Sequence, residues 1–264
     1  MEDVPASVSV GGPVGEATDG VVAPGAPAAV GDDLPSGENP TRKGRKRARV
    51  TSRTPSADLK GALTDAAEAV LMRDGAQAVT VRAVASEAGV APMGVYNRFG
   101  SKDGLIEALL VRGFQGLTAA ISAREGETDP VLRLWMSGSR YREFALSHPS
   151  HYALMFGDRV GQDWQPSAEF GECAEAAFQI LADHVVTLIA AGIFTEGDPV
   201  MLARQVWSAV HGAVALEMGG LLDPEAADTS YRQLLGMILR GLAEPGTLAF
   251  DHPQEPPKVV RNRP

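Results

Sequence analysis

Between Thr80 and Leu105, residues that start helices and residues that stop them alternate too closely for anything but short helices. Thr80 is a cap-type residue, and Val81, Val84, Ala85 and Ala88 follow it on one helical face. Gly89 ends that helix in a tight turn. Pro92 fits the first turn of a second helix, where its missing N–H costs nothing, and Gly100 closes it. Ser101 then caps a longer helix whose apolar positions are Leu105, Ile106, Leu109, Leu110 and Phe114. Upstream, Ser56 is a candidate N-cap, Leu59, Leu63, Ala66 and Val70 repeat at helical spacing, and Gly75 suits the helix end. Ala85 is small enough for the two short helices to cross closely. Val84, Val90, Val95 and Phe99 are expected to bury against the helix of residues 58–73, which leaves Pro92, Met93, Tyr96, Asn97 and Arg98 facing outward. A helix-turn-helix uses its second helix in this way, with the N-terminal residues toward base edges in the major groove.

The net charge of −9 looks wrong for a nucleic-acid-binding chain until it is divided. Residues 1–40 hold seven acidic residues and no Lys or Arg, residues 41–103 hold twelve basic against six acidic, and residues 104–264 hold twelve against twenty. One basic segment therefore lies between two acidic ones. Its most concentrated stretch, Arg42 to Arg49, includes Arg45, Lys46, Arg47 and Arg49 and directly precedes the short helices. Arms of this kind reach phosphates or the minor groove in other helix-turn-helix proteins. Residues 1–55 otherwise read as a disordered tail, acidic and then basic, with too little apolar surface to offset chain entropy.

The segment from Thr80 to Leu105 resembles the DNA-binding domain of TetR-type (tetracycline-repressor-like) regulators. The likeness rests on the leading Thr80, the turn Val84-Ala85-Ser86-Glu87-Ala88-Gly89-Val90, Tyr96 three residues before Phe99, and Ser101-Lys102-Asp103 just after it. It covers residues 56–110 and implies roles position by position. Thr80 would cap its helix and bond a phosphate, Tyr96 would bond a phosphate through its hydroxyl, and Lys102 would reach the backbone from a helix N-terminus that adds its own attraction. Ala91, Pro92, Met93 and Asn97 lie where the family reads bases, while Arg82 and Arg98 add positive charge nearby. The chain departs from the family here, with Ala91 in place of a common Ser or Thr and Asn97 in place of a common aromatic or His. Asn97 would pair with adenine, and Ala91 and Met93 would touch thymine methyls.

The rest of the chain also reads as helical, over about 130–147, 149–157, 167–191, 199–221 and 228–242, with no convincing period-two strand. In 199–221, Leu202, Val206, Ala209, Val210, Ala213, Leu216 and Leu221 make one broad apolar face, with Trp207, His211, Val214 and Met218 beside it. A helix apolar nearly all round is buried on both sides, here against its own core and a second subunit, with residues 228–242 completing a two-fold four-helix interface. Residues 140–157 and the run Trp207…His211-Gly212 resemble the C-terminal domain of a TetR subgroup named for its Trp-His-Gly motif, which implies a regulatory domain and a dimer. Tyr141, Phe144, Tyr152, Met155, Phe156, Phe178, Trp207, His211 and Met218 are the candidates for lining an effector pocket.

The expected architecture is all-α. It has a disordered tail over 1–55, a three-helix helix-turn-helix domain over 56–103, a helical ligand-sensing and dimerisation domain over 104–243, and a disordered tail over 244–264. No run approaches the roughly 20 uninterrupted apolar residues of a membrane span, and the acidic start does not resemble a secretory signal, so a cytoplasmic, nucleoid-associated protein is expected, with no membrane partner. Cys173 stands alone and reads as a small core residue. His148 and His151 have half the spacing of a metal site but no completing ligand, so no metal and no cofactor are expected. An enzyme could draw on His184, His211, Glu217, Asp183 and Cys173, but no catalytic motif places them. The reading is therefore a non-enzymatic, sequence-specific transcriptional regulator: a homodimeric repressor on a double-stranded DNA operator, released by a small, mainly apolar effector. The competing readings are an activator and a sequence-independent nucleoid protein.

Overall fold

The structure, a computed structural model, describes residues 56–122, 127–157 and 164–260. The acidic and basic tail, with Arg45, Lys46, Arg47 and Arg49, lies outside the described residues, as do 261–264. The described chain forms helices α1 (Ser56–Asp74), α2 (Val81–Glu87), α3 (Pro92–Phe99), α4 (Lys102–Ile121), α5 (Pro130–Ser147), α6 (Pro149–Phe156), α7 (Ala168–Ala190), α8 (Pro199–Met218) and α9 (Pro224–Leu242). The two-residue strands β1 (Leu248–Ala249) and β2 (Lys258–Val259) follow.

Local chemistry accounts for most helix starts. The side chains of Thr80, Ser101, Asp129, Ser167, Asp198 and Asp223 each accept a hydrogen bond from a first-turn amide. Proline occupies the first turn of α3, α5, α6, α8 and α9. Gly89 makes the turn between α2 and α3 at φ 65°, a left-handed conformation that a side chain would resist. Gly104 serves a different need, because a Cβ there would collide with the Phe99 carbonyl at the end of α3. The α3–α4 corner can therefore be this tight only with glycine at that position.

Leu63, Val70, Leu71, Val84 and Val95 are buried in the three-helix head, and they belong to the same continuous core as Leu105 and Leu109 of α4 and Trp135, Tyr141, Val185 and Leu239 in the bundle behind it. Helix α4 passes through both. Helices α4 and α7 reach the length and mean apolarity of a membrane span, although charged residues interrupt both and half of the apolar window of α4 is buried inside the fold. A partly buried ion pair fixes α8 to α5: Arg142 Nε and Nη2 donate to the two Glu217 oxygens at 2.7 Å each, and Nη1 donates to Asp228 of α9 at 2.9 Å.

Three expectations need correction. Residues 244–260 are not structureless. Strands β1 and β2 pair antiparallel, Leu248, Phe250 and Val259 pack on the core, and the Arg240 guanidinium lies 4.2 Å from the Phe250 ring centre. Helix α8 ends at Met218, where Gly219 and Gly220 terminate it, and Leu221 is exposed. The buried face of α8 is Ala203, Val206, Val210 and Val214, while Met201, Trp207 and Leu216 remain in contact with solvent. Cys173 is partly exposed at the core's edge, with Gln115 Nε2 3.9 Å from its sulfur.

Candidate nucleic-acid interface and effector cavity

Helix α3 is held from behind and open in front. Val95 is fully buried, Phe99 is partly buried, and Val84 and Ala85 of α2 support it from below. Ala91, Pro92, Met93, Tyr96 and Asn97 are exposed, Met93 at 66% and Tyr96 at 48%. Two large apolar side chains on so short a helix are poorly placed for solvent and well placed for contact with another surface. Ala91 is the N-cap of α3 and has no side chain to bond its amides.

Thr80 spends its hydroxyl oxygen on the Ala83 amide at 3.1 Å, which leaves its hydroxyl proton available. Arg82 is exposed on the first turn of α2, and Lys102 is half-buried at the first position of α4. Arg98 is half-buried, and its Nε is enclosed with no hydrogen-bond partner among the described residues. Among the described residues, Arg82, Arg98 and Lys102 form no ion pair, whereas Arg73 on the far end of α1 is neutralised by Asp74 and Glu87. The face beside α3 therefore carries unpaired positive charge, as a phosphate-binding surface requires.

A cavity of about 600 Å³ opens among α4, α5, α6, α7, α8 and α9. Of the residues expected there, Tyr141, Met155, Phe156, Phe178 and Trp207 line it. Tyr152 and His211 do not line it but hydrogen-bond the Tyr141 hydroxyl, at 3.0 and 2.9 Å. Phe144 points elsewhere, its ring stacked on His148 at 4.8 Å, and Met218 packs on the core away from the cavity. Phe114 and Leu239 line it from two further helices, α4 and α9, and Leu134, Trp135 and Phe170 line it from α5 and α7; none of these was expected there. Their apolar spacing was visible, but which helices would face one another was not.

Burial sets the protonation of the polar groups nearby. It raises the Tyr141 phenol above its ordinary 10.0, against the opposing hydrogen bonds from Tyr152 and Trp207. It raises Tyr152 further, with Tyr141 adding to the shift. It lowers His211 below 6.5, so the imidazole is neutral at neutral pH. No group of three or more His, Cys, Asp or Glu among the described residues is arranged to hold a metal.

Two family models match this chain. One describes bacterial regulatory proteins of the tetR family and matches residues 63–109. The other describes a tetracyclin repressor-like C-terminal domain and matches residues 136–238. A helix-turn-helix transcriptional regulator of Mycobacterium tuberculosis is 27% identical over 188 residues, which are 70% of this chain and 79% of that one. A solved structure of a Rhodococcus protein of unknown function is 29% identical, with a TM-score of 0.65 over 74% of this chain and 100% of that one. A TetR-family regulator from Thermus thermophilus shares the fold at 20% identity, with a TM-score of 0.51 over 69% of this chain and 99% of that one. The head, with its outward helix and unpaired cations, and the bundle behind it thus match the two halves of one kind of regulator: the chain belongs to the TetR family of DNA-binding transcriptional regulators.

Proposed function

We propose that the protein is a homodimeric repressor, acting in the cytoplasm at the nucleoid, that leaves its operator when a small, mainly apolar effector fills the cavity. The observation that carries the reading is the cavity of about 600 Å³ in the same continuous core as the DNA-binding head. A volume of that size suits a small ligand. Residues 56–103 serve as the DNA-binding head and residues 104–243 as the sensing and dimerising body.

On DNA, Met93, Asn97, Ala91 and Pro92 face base edges. Thr80, Tyr96 and Lys102 contact phosphates, and Arg82 and Arg98, with Arg45, Lys46, Arg47 and Arg49 of the preceding segment, add electrostatic attraction. Dimerisation uses α8, α9 and the turn between them, where Met201, Leu216, Leu221 and Met237 are exposed. Two-fold symmetry then sets the two α3 helices in successive major grooves, about 34–36 Å apart or a multiple of that distance. Release requires the effector to bind one conformer better than the other.

Fluorescence anisotropy of the protein on its own upstream DNA, against a scrambled duplex at two salt concentrations, tests the reading. Binding that survives competitor DNA and weakens on adding effector supports it. Equal, steeply salt-dependent binding to both duplexes supports a general nucleoid protein instead, and binding strengthened by effector supports an activator.

A further inference from the structure

We propose that the hydroxyl and imidazole groups of Tyr141, Tyr152 and His211 select an uncharged hydrocarbon carrying one acceptor oxygen, such as a ketone or ester carbonyl. The inference rests on the reading of the cavity as the effector site. Three polar atoms on α5, α6 and α8 form a triangle. The two hydroxyl oxygens are 3.0 Å apart, and His211 Nδ1 is 2.9 Å from that of Tyr141 and 2.8 Å from that of Tyr152.

Each edge of this triangle needs one proton. With the neutral imidazole protonated at Nε2, Nδ1 is an acceptor and only the two hydroxyl protons are available. Two edges can then be hydrogen bonds and the third cannot. With the proton at Nδ1, the nitrogen donates to one hydroxyl oxygen and no longer accepts. One hydroxyl proton can lie along the oxygen–oxygen edge, and the other must leave the triangle. Tyr152 is buried and does not line the cavity, whereas Tyr141 does. The outgoing proton is therefore that of Tyr141. The completed chain runs from His211 Nδ1–H to Tyr152, from the Tyr152 hydroxyl to Tyr141, and from the Tyr141 hydroxyl to an acceptor in the cavity. An acceptor oxygen on a ligand fixes this tautomer and leaves no hydroxyl proton unused.

Charge narrows the ligand class. The triangle holds no cation, because burial keeps His211 neutral. The one arginine on the cavity wall, Arg204, is exposed and shares that wall with Glu175. A carboxylate placed against Tyr141 would be desolvated without a counter-charge. The remaining surface suits hydrocarbon, with Phe114, Leu134, Phe156, Phe178 and Leu239 among the walls.

The test compares decane, 2-decanone and decanoate on the full-length protein, by quenching of the fluorescence of Trp135 and Trp207, which both line the cavity. One added hydrogen bond should favour 2-decanone over decane by about fivefold. Tyr141→Phe should remove that preference while keeping affinity for decane. If the variant does not fold, the infrared carbonyl stretch of 2-decanone bound to the wild-type protein decides, since a donated hydrogen bond moves it to lower frequency. Equal affinity for decane and 2-decanone, preference for decanoate, or an unshifted carbonyl overturns the ligand class but leaves the effector cavity standing. Failure of all three probes to bind overturns both.

Discussion

At Lys102, the proposed phosphate contact rests on a setting that the sequence already describes. It begins α4, carries no ion pair among the described residues, and stands on a helix N-terminus whose amides also attract anions. Lys102→Ala should weaken binding to every duplex alike and lower the salt slope by about one unit in anisotropy titrations; an unchanged slope would remove Lys102 from the phosphate contacts. His184 is a residue whose importance only the fold reveals. It is buried, its Nε2 has no hydrogen-bond partner among the described residues, and burial together with the Arg133 charge lowers its pKa below 6.5, against the opposing effect of Asp183. His151 is lowered in the same way by burial, with Arg112 and His148 assisting and Glu68 opposing. A histidine whose folded pKa lies below its unfolded one keeps its full contribution to stability above pH 6.5, and loses it as the pH falls from there through the lowered native value. The melting temperature should therefore drop between about pH 7 and pH 5, and His184→Gln should flatten part of that drop. A variant that melts with the same pH slope would show that His184 titrates alike in both states.

Among the elements, α1, α4 and α6 meet at a charged knot. Arg112 of α4 donates from Nη1 to Asp65 and Glu68 of α1, at 2.6 Å each, and the other Glu68 oxygen lies 3.3 Å from His151 Nε2 on α6. One turn further along α6, Met155 lines the cavity, and its sulfur lies where a Cβ on Gly113 of α4 would come within 2.7 Å. Glu68→Gln keeps the volume and removes the charge. It should lower stability by roughly 1 kcal/mol with an unchanged m-value in urea titrations, and no change would show that the knot carries no energy. The helices themselves were legible because their ends are local chemistry: Thr80, Pro92, Ser101 and Asp198 act on neighbours within four residues. Strands β1 and β2 were not, since two residues are too few to show a period, and their stability comes from Arg240 and the core behind them. The pocket was half legible for a related reason. Tyr141 and Phe178 line the cavity as expected, but Phe144, Tyr152, His211 and Met218 do not, because helical phase alone does not say which neighbour each face meets.

For the whole molecule, α8 and α9 leave Met201, Leu216 and Met237 exposed, and the proposed dimer would cover them. Of the broad apolar face read from residues 199–221, only Val206 and Val210 are buried within the subunit, joined by Ala203 and Val214, while Leu202, Ala209 and Ala213 are partly exposed and Leu216 and Leu221 are exposed. Leu216→Glu, at a position 46% exposed, should leave the circular dichroism unchanged, shift the protein to a monomer in sedimentation, and weaken operator binding by roughly 100-fold through loss of bivalent attachment. A dimer that persists in this variant would move the interface elsewhere. Because one core runs from Leu63 through α4 to Leu239, the head is not a detachable module. Exchanging operator specificity with a relative by cutting at residue 103 would bisect that core and join two surfaces never shaped for each other. A graft that carries α4 to Ile121 keeps the corner at Gly104 intact but imports foreign cavity walls at Phe114, Leu117 and Ile121. Under the proposed function, a change in what the protein reads on DNA is difficult to separate from a change in what its cavity accepts.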